Sequence, residues 1–138
     1  MAPLKQKGDL AELAVALDLR RRGYRLAFPY GEDCDYDLIV DRGGKLERVQ
    51  VKHVHSDGNV LEIRCGSHSL TNGRVRATKR YTADMIDWLA AYDASSERCY
   101  YVPASLLGNG RSLISLRLTP ARNNQLARIR MAEDFLDV

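Results

Sequence analysis

Tyr36-Asp37-Leu38-Ile39-Val40, then Asp41-Arg42-Gly43-Gly44-Lys45, then Val49-Gln50-Val51-Lys52: this stretch decides how the chain folds. Leu38-Ile39-Val40 is a short apolar run rich in β-branched residues, as a buried strand is. Gly43-Gly44 permits the positive φ angles of a two-residue hairpin loop. The returning limb, residues 46–54, alternates, with Val49 and Val51 on one face and Gln50 and Lys52 on the other. With the two glycines as the loop, Arg42 pairs with Lys45, Val40 with Glu47, Leu38 with Val49, and Asp37 with Gln50. Directly opposed residues project to the same side with Cβ atoms roughly 5 Å apart. A carboxylate, an amide oxygen and an ammonium therefore converge on one face, and a one-residue slip would separate them.

Three such groups suit phosphodiester hydrolysis. A hard cation such as Mg²⁺ takes oxygen ligands and keeps several waters. Asp37 and the Gln50 side-chain oxygen supply two ligands, and the Val51 carbonyl between Gln50 and Lys52 supplies a third. The cation would polarise the phosphate and acidify a water, while Lys52 would steady the hydroxide or the charge developing at phosphorus. The spacing alone also describes an ordinary half-buried hairpin with a polar wet face.

The pattern resembles the PD-(D/E)XK nuclease superfamily, with Asp37 as the aspartate and Gln50-Val51-Lys52 as the (D/E)XK element. That superfamily often adds a glutamate from the preceding helix, and Glu12 in Gly8-Asp9-Leu10-Ala11-Glu12 fits that place. The chain departs from the pattern twice: Tyr36 stands where a proline precedes the aspartate, and Gln50 stands at the second acidic position. With Gln there, the chain looks like the small bacterial homing endonucleases encoded in group I introns, relatives of archaeal Holliday-junction resolvases. The resemblance also covers Gly23-Tyr24, Tyr100-Tyr101-Val102-Pro103, Leu116-Arg117-Leu118 and Asn123-Asn124-Gln125. It implies an α/β, restriction-endonuclease-like core (α-β-β-β-α-β), a mixed sheet flanked by helices. It implies catalytic residues Glu12, Asp37, Gln50 and Lys52, with metal ligands from Glu12, Asp37, Gln50 and Val51 and with Mg²⁺ bound, replaceable by Mn²⁺. The implied activity is site-specific cutting of double-stranded DNA. The alternatives are cutting of branched DNA at a Holliday junction, and DNA binding without cleavage on the same fold. Since one site cuts one strand, a double-strand break calls for a homodimer or homotetramer.

The chain has 138 residues, the size of one domain spanning 1–138. Its apolar fraction of 45% and charged fraction of 28% match a soluble globular protein. The absence of a long apolar run or a secretory leader points to the cytoplasm and away from membranes. Cys34, Cys65 and Cys99 are odd in number and widely spaced, so reduced thiols are expected. The net charge of +3 permits nucleic-acid binding without demonstrating it. The positive charge is clustered in Arg20-Arg21-Arg22 and in Arg74, Arg76, Lys79 and Arg80.

Residues 10–22 read as a helix with Leu10, Leu13, Ala14 and Leu17 as its main apolar face, stopped by Gly23. Glu12 sits instead among Gly8, Val15, Ala16 and Leu19, where a carboxylate needs a partner or a cation. Residues 24–28 read as a strand, and 29–35 as a loop whose Glu32, Asp33 and Asp35 are solvated acids or extra ligands. After a turn at Asp57-Gly58, residues 60–65 read as a strand beside Gln50 and Lys52. His53 and His55 share a face in the manner of zinc ligands, but no third ligand is evident. Residues 66–80 read as a polar loop following a phosphate backbone through Arg74, Arg76, Lys79 and Arg80, with Arg74 and Arg76 able to grip guanine. Residues 83–91 read as a second helix capped by Thr82, with Asp84 at its positive end and Trp88 in the core. Strands at 98–102 and 113–118 follow, then Arg122-Asn123-Asn124-Gln125 precedes a final helix to about Phe135. Asn124 and Gln125 either read adenine or pack.

Overall fold

The computed structural model describes residues 4–31, 33–71, 74–120 and 129–138. Helix α1 (Leu4–Arg21) opens the chain, followed by strands β1 (Arg25–Ala27), β2 (Leu38–Arg42) and β3 (Lys45–Val54). The turn between β2 and β3 has positive φ at both Gly43 and Gly44, and the Gly44 N–H donates to Asp41 Oδ1 at 2.8 Å. Its register pairs Leu38 with Val49, Val40 with Glu47 and Arg42 with Lys45, the pairing that follows from placing the glycines in the loop. Strands β1, β2, β3, β7 (Trp88–Asp93) and β8 (Arg98–Pro103) form one mixed five-stranded sheet, in which β3 and β7 run parallel. The α/β class and the mixed sheet are those of a restriction-endonuclease-like core.

Helix α1 covers one face of this sheet. Its buried stripe is Ala11, Val15 and Leu19, at helical spacing, packed on Leu38, Val40, Val49, Val51 and Tyr101. Leu10, Leu13 and Leu17 are instead 50%, 70% and 52% exposed, which reverses the face expected from their size. Small and β-branched side chains let the helix lie close on the sheet, and that choice turns Glu12 toward β2. The helix ends where Gly23, at φ 90°, donates to the Arg20 carbonyl and Tyr24 donates to that of Leu19.

Among the described residues the other face is covered by strands rather than an α-helix. The sequence suggests strand β4 (Val60–Arg64) beside Gln50 and Lys52, but β7 occupies that edge of β3, and β4 pairs antiparallel with β9 (Leu113–Arg117). Leu61, Ile63, Ile114 and Leu116 from this small sheet meet Leu89, Ala91, Tyr100 and Val102 of the large one. The segment expected as the second helix is a single turn, with the Thr82 carbonyl accepting from Met85 and Ile86, followed by β7. Residues 89–93 are all buried, because β7 is an interior strand, between β3 and β8, with both faces covered. Such a strand shows no alternation and reads like a buried helix.

Residues 66–80, expected as a loop, form a separate antiparallel hairpin, β5 (Gly66–Thr71) and β6 (Arg74–Arg80), with an irregularity between Ser69 and Leu70. A short 3-10 helix (Ala104–Leu107) lies between β8 and β9. At the end, the expected helix does not run through to Phe135: Met131 bridges Arg117, and Ala132–Phe135 is a 3-10 turn with Ala132 buried and Phe135 against the core. Asn123, Asn124 and Gln125 lie outside the described residues. Among the described residues no helix is long and apolar enough to cross a membrane.

Candidate active site

Asp37 stands one residue before β2 and is tied twice to β3. Its N–H donates to the Val49 carbonyl at 2.8 Å, and its Oδ2 accepts the Val51 N–H at 2.8 Å. One carboxylate oxygen is thereby fixed by backbone, and the other is left to the site. The N–H and C=O of one strand residue leave on the same edge. The Val51 carbonyl therefore projects beside Asp37, beyond the last rung of the β2–β3 ladder.

Helix α1 brings Glu12 against Asp37, carboxyl to carboxyl, in a side-chain hydrogen bond. Burial and the neighbouring Asp37 push the Glu12 carboxyl up to about 7, with Asp9 and the hydrogen bond adding to the effect. Burial also raises Asp37, but the Val51 N–H, the Lys52 charge and the Glu12 hydrogen bond all favour its ionised form. A proton on the pair is therefore favoured at Glu12 over Asp37.

Gln50 is half-buried on the Lys52 face of β3, and among the described residues its amide has no hydrogen-bond partner. Lys52 is also half-buried, and its Nζ donates to the Gly66 carbonyl at 2.8 Å. The ammonium lies 5.3 Å from the centroid of the Tyr81 ring. Burial lowers the Lys52 pKa from its ordinary value, and Asp37 opposes that effect. Gly66 and Tyr81 do not stand out in the sequence. A glycine inside a strand is a general signal of close backbone approach, whereas nothing marks Tyr81.

The basic residues are divided. Arg74 and Arg76 lie on β6, and their side chains fall outside what the structure describes. Arg80 is exposed. Lys79 pairs with Asp35 at 2.6 Å, so it ties β6 to the loop leading into Asp37 instead of standing free for a phosphate. Of the acidic loop, Asp33 is exposed and Glu32 lies outside the described residues. His53 and His55 line a cleft of about 430 Å³ with Lys52, Asp57, Glu62 and Arg64. His53 stacks edge-on against Tyr92 at 6.0 Å. Cys65 and Cys99 are buried and Cys34 is exposed, all as free thiols. Trp88 packs against the core and donates to Glu47 Oε1 at 2.7 Å.

No match was found among curated protein sequences. Among solved structures, the fold is similar to that of a bacterial homing endonuclease, I-Ssp6803I. The TM-score is 0.74 at 23% identity, over 97% of this chain and 88% of that one. At that identity the likeness establishes the fold. The family model described as PD-(D/E)XK endonuclease matches residues 3–138, so the chain belongs to the PD-(D/E)XK endonuclease family.

Proposed function

We propose that the protein is a Mg²⁺-dependent endonuclease that cuts double-stranded DNA at specific sites, acting as a homodimer or homotetramer. The observation that carries this reading is the Glu12–Asp37 pair, two carboxyls hydrogen-bonded to each other beside the Val51 backbone. Such a pair is unfavourable unless a proton or a cation sits with it. The donor set fits a hard divalent ion: carboxylate oxygens from Glu12 and Asp37, the Gln50 amide oxygen, and the Val51 carbonyl. Mn²⁺ fits the same oxygens. Bound there, the cation would supply Lewis-acid polarisation of a phosphate and a more acidic water.

The chain's own residues divide the remaining work. Asp37 keeps its geometry through Val51 N–H whether or not a cation is present. Glu12 gives up its proton when a cation replaces it, and so contributes a second charge. Gln50 contributes an oxygen but no charge, so metal affinity without DNA is expected to be weak. Lys52 supplies a donor for charge developing at phosphorus. Arg74, Arg76 and Arg80 hold the DNA backbone, with Arg74 and Arg76 available to read bases.

The deciding experiment incubates supercoiled plasmid carrying candidate sites, and a synthetic four-way junction, with Mg²⁺ or with EDTA. Wild type should cut the plasmid duplex only with Mg²⁺, and Asp37→Asn should not cut. Preferential cutting of the junction would replace the site-specific reading with a junction-resolving one. Asp37→Asn cutting at the wild-type rate would remove the site from this hairpin.

A further inference from the structure

We infer that Gly66 and Tyr81, at the root of hairpin β5–β6, are positioning residues that seat the Lys52 ammonium and so join the basic hairpin to the chemistry. This rests on the nuclease reading above. Among the described residues Lys52 makes no ion pair. It is held instead by one carbonyl, Gly66 O at 2.8 Å, and by one aromatic ring, Tyr81 at 5.3 Å. An ammonium has donors and no acceptor, so a carbonyl lone pair and a ring face are both attractive seats. Both are uncharged, so the ammonium keeps its full positive charge, which a carboxylate in the same place would neutralise.

The two seats belong to one piece of structure. Gly66 pairs with Arg80 across the hairpin, and Tyr81 N–H extends that ladder one step by donating to the Cys65 carbonyl at 2.9 Å. Tyr81 is 4% exposed, and its hydroxyl meets the Ser67 side chain of β5. A Cβ at position 66 would lie 2.2 Å from the Lys79 carbonyl oxygen and 3.2 Å from the Lys79 carbonyl carbon. Those are backbone atoms and cannot rotate away. Any side chain at 66 therefore pries β5 from β6 and shifts the carbonyl that holds Lys52. The Lys79–Asp35 pair fastens the same strand to the loop before Asp37.

The test combines three measurements on the full chain: the ¹⁵N–¹H resonance of the Lys52 ammonium, DNA affinity in EDTA, and the single-turnover cleavage rate at saturating DNA with Mg²⁺. Tyr81→Phe keeps the ring and should match wild type in all three. Tyr81→Leu should move the ammonium resonance, leave affinity unchanged, and slow cleavage on the order of 100-fold, as about 1 Å of misplacement does. Gly66→Ala should act in the same direction and serves as the second variant if Tyr81→Leu does not fold. The inference is overturned if rate and affinity fall by the same factor, if Tyr81→Phe fails as Tyr81→Leu does, or if Tyr81→Leu cuts normally. The wild-type resonance gives a reading that needs neither variant nor cleavage. A seated ammonium exchanges protons slowly and is shifted by the ring, and a solvent-like signal rejects the seat. Should wild type not cut DNA at all, the nuclease reading fails while this resonance still reports on the seat.

Discussion

Hairpins β2–β3 and β5–β6 are held in opposite ways. Hairpin β2–β3 is fixed by burial: Leu38, Val40, Val49 and Val51 lie under α1, and β1 and β7 close both edges. Hairpin β5–β6 is a sheet of its own, joined to no other strand among the described residues and attached at its root through Lys52–Gly66, Lys79–Asp35 and Tyr81. The first cannot slip without turning its apolar face to water. The second can tilt on its root at much lower cost. The buried hairpin carries proposed metal ligands, Gln50 and Val51, and the one attached only at its root carries the residues proposed to meet DNA.

Three sets of substitutions bear on this contrast, in decreasing order of expected effect. Leu38→Ala removes a fully buried side chain from the rigid hairpin and should cost about 2–5 kcal/mol, read from urea unfolding. Lys79→Ala breaks the solvent-facing ion pair at the root of the second hairpin and should cost at most about 1 kcal/mol in the same assay. Equal costs would erase the distinction. Replacing Arg74 and Arg76 together by Ala should reduce the slope of log affinity against log salt by roughly one unit for each phosphate left without its cation, and should not lower the unfolding midpoint. An unchanged slope would place the DNA elsewhere.

The smallest effect concerns pH. Arg48 of β3 binds Asp87 through both backbone and side chain, at 2.8 and 3.1 Å. Burial raises the Asp87 carboxyl, but these Arg48 hydrogen bonds and its charge outweigh burial and leave the group below the ordinary 3.8. The stabilisation is therefore fully present above that value and lost as pH falls through the lower folded one. In acid unfolding, wild type should exceed Asp87→Asn at neutral pH and converge with it below pH 3.8. A constant difference would show that the carboxylate charge contributes nothing.

The same contrast explains what the sequence makes legible. The β2–β3 register can be counted from Gly43 and Gly44 because one face alternates with buried valines, and that register carries Asp37, Gln50 and Lys52 to one place. Hairpin β5–β6 does carry hairpin signals, Asn72-Gly73 between its strands and Val75 and Ala77 alternating with Arg74, Arg76 and Thr78, but its basic and hydroxyl residues make it read as a loop. Strand β7 misleads for the opposite reason: Leu89, Ala90 and Ala91 are buried, and a continuous apolar run does not tell strand from helix. On α1 the large leucines draw attention away from Ala11, Val15 and Leu19, the close-packing stripe that turns Glu12 inward. Tyr81 is brought to Lys52 by the closure of β5 on β6, and its own neighbours in the sequence do not mark it.

The parallel pairing of β3 with β7 sets Val49 against Trp88, and β4 waits for β9 to set Leu61 against Leu116. Pairings so distant along the chain must overcome loop-closure entropy before they return any stability, which makes such topologies slow to fold. A chain still emerging from the ribosome therefore contains Glu12, Asp37, Gln50 and Lys52 well before it can assemble them. Until β7 arrives, one edge of β3 is open to pairing with another chain. Until β9 arrives, β4 has no partner to hold it over the sheet. Assembly of the site thus depends on strands from the second half of the polypeptide, although the four residues proposed to act there all come from the first half.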